Sequence, residues 1–129
     1  MPYLKKSKRH SASTRRKTES RKLRQSVYCT ERWKRMRIGY LMQHPVCELC
    51  ERRGIVTLAV DVHHIRSFQL SRGAEMLFHA YNPANLMALC KHCHNFIHRH
   101  GATTYTNLDQ EAEEADRIYG RGIIPQKEI

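Results

Sequence analysis

Two cysteine pairs of identical spacing, Cys47-Glu48-Leu49-Cys50 and Cys90-Lys91-His92-Cys93, constrain this chain more than any other feature. A tight turn with two residues inside each pair aims both thiolates at one point. Two such turns supply the four soft ligands of a tetrahedral structural Zn²⁺. The alternative is four unrelated buried cysteines. The 39 residues between the pairs, 51–89, exceed what a simple zinc ribbon needs, so further structure is expected between the knuckles. In a chain of 129 residues the metal then adds stability that a small core cannot supply. The fifth cysteine, Cys29, is expected to be a buried free thiol at the head of a helix.

The length suits one domain with or without a tail. No apolar run approaches the roughly 18 residues needed to span a bilayer, so no membrane partner is expected. The first 26 residues are basic and lack the apolar core of a secretory signal. A reducing, cytoplasmic setting follows as the expectation, in which metal binding outranks disulfides. Lysine and arginine number 23 against 12 acidic residues, a net charge of +11 that suits a polyanion such as nucleic acid. The charge is uneven. Residues 1–37 hold 14 basic and two acidic side chains, or +12, leaving nine and ten, or −1, for the rest.

Residues 1–26 carry few apolar side chains and are rich in Lys, Arg, Ser and Thr, the composition of a flexible arm. Such an arm either solubilises or lies on phosphates, with a helix over about 14–25 forming on binding. The body is placed at 27–120 and a frayed tail at 121–129. Within the body, Thr30 as N-cap, apolar residues Trp33, Met36, Tyr40 and Leu41 at helical spacing, and Pro45 as a stop predict a helix over 30–43. Its Arg32, Lys34, Arg35 and Arg37 are candidate DNA contacts or a solvated face. Residues 55–66, rich in Val and Ile, read as two short strands or a bent hairpin. Residues 67–84 read as a long loop with one helical turn near 74–80. Helices are expected at 91–100, closed by Gly101, and at 108–119, ending near Gly120.

Eight of the nine histidines fall between residues 44 and 100. His63 and His64 are adjacent at the end of a strand, where successive side chains face opposite ways, so the two can serve different tasks. His94 and His98 are four apart on a helix, which puts both imidazoles on one face. Four cysteines already satisfy one zinc. The surplus histidines therefore imply a second metal site.

Taken in order, Cys47-x-x-Cys50, Val62-His63-His64-Ile65 and Asn85-Leu86-x-x-Leu89-Cys90-x-x-Cys93-His94-x-x-x-His98 resemble the HNH endonucleases. These are ββα-metal nucleases, here with an added zinc-knuckle pair. The run of residues 32–37 ahead of Pro45 is similar to small HNH proteins encoded by bacteriophages. The resemblance spans about residues 27–100. It implies an α+β fold with a ββα-metal core, a four-cysteine structural zinc, flanking helices and a disordered basic N-terminal arm. It also implies hydrolysis of DNA phosphodiester bonds with one divalent ion. Carried over by position, His64 would be the general base, whose imidazole titrates near physiological pH. His63 would bind the catalytic ion where many relatives have aspartate, His94 would complete the site, and His98 would add a third ligand. Asn85 would orient the catalytic histidine through a loop hydrogen bond. An imidazole in place of a carboxylate favours Zn²⁺, Ni²⁺ or Mn²⁺ over Mg²⁺. The products would be 5′-phosphate and 3′-hydroxyl ends.

The expected function is thus a metal-dependent HNH DNA endonuclease, nicking or cutting both strands. If the chain is phage-encoded, it would act in the host cytoplasm, with a terminase or other packaging component as candidate partner. The rival is a non-catalytic zinc module that binds DNA, as an accessory to a packaging enzyme. An RNA-binding zinc protein is disfavoured, because no aromatic platform for stacking single strands is visible.

Overall fold

The computed structural model of the chain describes residues 12–100, 104–122 and 124, with backbone only for residues 12–18 and Ser20. Among the described residues there are six helices and two strands: α1 (Ala12–Tyr28), α2 (Glu31–Gln43), α3 (Glu48–Arg52), β1 (Asp61–His64), α4 (Gly73–Tyr81), β2 (Leu86–Leu89), α5 (Lys91–His100) and α6 (Leu108–Tyr119). Short 3₁₀ turns at Phe68–Leu70 and Pro83–Asn85 bracket α4. This is a mixed fold with a small antiparallel sheet. No helix of the described residues is long and apolar enough to cross a membrane.

The two strands pair antiparallel, with Asp61 opposite Leu89 and His64 opposite Leu86. The pleat divides their side chains between two separate cores. Leu86 and Val62 join Val27, Trp33, Phe68, Ala80 and Tyr81 on one face. Met87 and Leu89 join the four cysteines, Phe96, Ile97, Ala112 and Ala115 on the other. Because β2 is buried on both faces, its sequence Leu-Met-Ala-Leu is a continuous apolar run without alternation. That explains why polar-apolar patterning does not reveal it as a strand.

Several expectations are met with near-identical bounds. α2 starts where Thr30 accepts the Trp33 amide, a cap that stabilises by about 1 kcal/mol. α5 covers Lys91–His100, while Gly101, expected to close it, lies outside the described residues. α6 is capped by Asn107 and ends at Gly120, whose φ of 66° needs a residue without Cβ strain. The buried Arg53 guanidinium ties α3 to that end, 2.7 Å from Asp116 and from the carbonyls of Gly120 and Gly122.

Other expectations are corrected. Within 55–66 the one continuous strand is Asp61–His64, with a single bridge from Arg66 to Tyr105 beyond it. Residues 55–60 run irregularly, joined to Val46 by one bridge at Leu58, with Val56 and Leu58 facing outward. The segment 67–84 is not a loop with one helical turn. Gly73 starts a nine-residue helix instead of breaking one, because Ala80 and Tyr81 bury against the Trp33 core. Within the basic stretch assigned to an arm, the helix expected over about 14–25 is present as α1, longer at both ends, and its last turn drives Val27 fully into that core. Residues 1–11 lie outside the described residues. Cys29 is exposed, not buried: it sits in the turn between α1 and α2, and Val27 takes the inward position. Of the tail from 121, Ile124 is buried in the cysteine-side core. Residues 123 and 125–129 lie outside the described residues.

Candidate active site

α3 and α5 each begin beside a cysteine pair. Cys47 caps α3, and its sulphur accepts the Cys50 amide at 3.5 Å. Cys90 directly follows β2 and Cys93 lies in the first turn of α5. All four sulphurs lie within 4.8 Å of one another in the buried core, with Cys50 Sγ 3.5 Å from Cys93 and 3.8 Å from Cys90. Such crowding makes the thiols share protons. A hydrogen bond with Cys50 first of all pulls Cys47 down to about 7, and one with Cys47 pulls Cys90 to about 7. Cys93 is held well above its ordinary value by hydrogen bonds with the other three. Four buried soft donors converging on one point fit one tetrahedral metal ion.

On another face of α5, His94 and His98 turn toward His63 of β1. Together with His63 they place one ring nitrogen each within 4.8 Å of the others, and Nε2 of His94 lies 2.9 Å from Nε2 of His98. His94 is oriented from behind. Its Nδ1 donates to Asp61 Oδ2 at 3.1 Å, which leaves the Nε2 lone pair directed at the cluster. His63 Nε2 lies 2.9 Å from the Thr106 hydroxyl. Burial first, and then the neighbouring His94, His98 and His64, push the His63 pKa down to about 3. His98 is lowered as well, by burial and then by His94. Neutral imidazoles are the ligand form. Three of them with a carboxylate behind one fit a divalent cation.

His64, on the other strand face, is buried among aromatic rings. Its Nε2–H donates to the Ala80 carbonyl at 2.9 Å, so the lone pair is on Nδ1, 3.5 Å from the Tyr28 hydroxyl. Burial lowers its pKa, partly opposed by the Ala80 hydrogen bond. Asn85 does not touch His64. It accepts the Arg66 amide at 2.8 Å and donates to the carbonyls of Arg66 and His79 at 2.9 Å each. The side chain thereby clamps the backbone two residues past His64 to the residue before Ala80. Its influence on the histidine passes through both neighbours.

These groups open onto a cleft of about 610 Å³ lined by His63, His64, His94, His98 and Asp61 and walled by Arg24, Tyr28, Trp33 and Arg37. A family model described as HNH endonuclease matches residues 47–100. The crystal structure of an HNH endonuclease from the deep-sea thermophilic bacteriophage GVE2, with a manganese ion, is similar in fold. Its TM-score is 0.54 at 22% identity, covering 85% of this chain and 100% of that one. A search of curated proteins returned no match.

Around this cleft the four basic candidates of α2 separate. Arg37 lines the cleft and donates to the Val60 carbonyl at 2.8 Å. Arg32 lies over the Tyr81 ring at 4.0 Å, Lys34 pairs with Glu31 at 3.4 Å, and Arg35 is exposed. The sequence reading missed Asp61, Thr106, Arg24, Tyr28 and Trp33 as members of the site. Asp61 lay in the strand that carries His63, and a carboxylate two residues before a ligand on one strand face was the available signal. For Arg24 and Tyr28, four apart on α1, the signal required knowing that α1 is a helix.

Proposed function

We propose that the chain is a metal-dependent HNH endonuclease that hydrolyses DNA phosphodiester bonds. The observation that carries this is the orientation of His64: its Nε2–H is committed to Ala80, and its Nδ1 lone pair lies on the side of Tyr28 in the cleft where the three other histidines converge. His64 takes a proton from the attacking water as the water oxygen bonds to phosphorus. The bond from phosphorus to the 3′ oxygen breaks, leaving 5′-phosphate and 3′-hydroxyl ends. His63, His94 and His98 would hold the divalent ion, with Asp61 fixing the tautomer of His94. When bound, that ion supplies Lewis-acid stabilisation of charge on the phosphate and on the leaving oxygen. Asn85 keeps the backbone on either side of the base in register. Arg24 and Arg37 flank the cleft and would take neighbouring phosphates. Cys47, Cys50, Cys90 and Cys93 would hold a structural Zn²⁺ away from the chemistry.

Nicking of supercoiled plasmid, measured with Mn²⁺, Mg²⁺, Ni²⁺ or Zn²⁺ added, tests this reading. His64→Ala should lower kcat by about 10²- to 10⁴-fold with zinc content and DNA affinity retained. Undiminished cleavage would remove His64 from the base role. A zinc-loaded protein that binds DNA and cuts with none of these ions would be a binding module instead.

A further inference from the structure

The matched HNH segment starts at residue 47, yet the walls around His64 come largely from residues before it. The Trp33 ring stacks on the His64 imidazole, with centroids 4.9 Å apart and planes at 24°. Phe68 meets the imidazole edge-on at 4.9 Å and 71°, and Tyr28 tilts against it at 6.0 Å and 47°. The rings also brace one another, Tyr28 against Trp33 at 5.4 Å and against Phe68 at 5.5 Å. Trp33 and Phe68 are buried, 5% and 1% exposed, while Tyr28 is 39% exposed at the cleft.

We propose that Trp33 and Tyr28 are positioning residues of the general base, holding the His64 ring in the one orientation that presents its Nδ1 lone pair to the cleft. The proposal rests on the reading of His64 as that base. Rotation of an imidazole about its last torsion is soft, and a half-turn exchanges Nδ1 with a carbon. The hydrogen bond to Ala80 restrains the ring within its plane, and a stacked indole on one face restrains its tilt. Neither restraint alone defines both angles. The Tyr28 hydroxyl, at 3.5 Å, is too far from Nδ1 for a strong O–H···N bond, so the phenol packs by its ring and leaves the lone pair free to accept from water.

The same residues are tied to the acceptor that His64 uses. Thr30, between α1 and α2, accepts the Trp33 amide at 3.1 Å, and its hydroxyl donates to the Val27 carbonyl at 2.7 Å. That hydroxyl also lies 3.0 Å from the hydroxyl of Tyr81, the residue after Ala80. The helix pair and the end of α4 therefore form one frame around His64. The catalytic unit begins in α1, not at Cys47.

The test uses the full chain and the variants Trp33→Leu, Trp33→Phe and Tyr28→Leu, with zinc content and circular dichroism reporting the fold. Plasmid nicking separates kcat from KM, and ¹⁵N NMR of the imidazole reads the His64 tautomer in the absence of activity. Trp33→Leu should lower kcat by about 10- to 100-fold at nearly unchanged KM, the scale of a misplaced catalytic group. It should also convert a single Nε2–H tautomer into a mixture. Trp33→Phe, which keeps a stacking ring, should recover most of both. Tyr28→Leu, at a part-exposed site, should give a smaller loss in the same direction. If Trp33→Leu fails to fold, Tyr28→Leu decides. Retention of full kcat and a single tautomer in the folded leucine variants overturns the proposal. If His64→Ala cuts as well as the parent chain, the base assignment fails, and the tautomer spectra still report whether the rings orient His64.

Discussion

The four-cysteine and three-histidine clusters grow from adjacent residues yet face opposite environments. Cys93 and His94 are neighbours on α5, rotated by about 100° about the helix axis. One turns into a core where all four cysteines are buried. The other turns onto an open cleft where His98 is exposed. A closed shell of protein ligands leaves a metal nothing to do but hold the fold, whereas an incomplete shell at a cleft leaves room for substrate.

The sharpest way to break that contrast is to attack the closed side. Cys93→Ala should abolish zinc retention and cooperative folding, because binding of a structural zinc is itself the folding free energy, of order 10 kcal/mol. Circular dichroism and metal content check it, and a folded, metal-free variant would show that the core stands without the ion. On the open side, His94→Ala should leave zinc content and thermal unfolding near those of the parent while cleavage falls by about 10²-fold or more. Loss of folding there would erase the distinction between the two clusters. Asp61→Asn removes the acceptor behind His94, so the affinity for the activating ion should drop by about 10- to 100-fold in a metal titration of nicking. Smallest is Arg24→Ala at the rim. It should weaken DNA binding and lower the salt slope by about one unit while kcat at saturating DNA holds.

The two sides also differ in how legible they were. The cysteine cluster was readable because two residues between paired thiols is a local geometry that survives any tertiary context. The four-residue step from His94 to His98 was readable for the same reason, as were α2 from Thr30 and α6 up to Gly120. The walls of the cleft were not. Arg24 lay in a stretch whose composition resembles an unstructured arm, and what brings it and Tyr28 to the cleft is the burial of Val27 between them. Trp33 was recognised as a core residue of α2. That its ring stacks on His64 depends on how α2 crosses β1. Only one turn of α4 was legible, near 74–80, because Gly73 and Pro83 look like breakers when their neighbours' burial is unknown.

The chain by itself determined the donor sets: which residues are soft sulphur ligands, which are imidazoles, and which pairs share a turn or a helix face. These follow from short-range backbone geometry and from the chemistry of the side chains. Only the tertiary structure decided which strand face each histidine of the His63-His64 pair serves. It placed Asp61 behind His94, and it brought α1 and α2 around His64. Those outcomes depend on which surfaces bury against one another across dozens of residues, and packing of that kind leaves no periodic trace in the sequence.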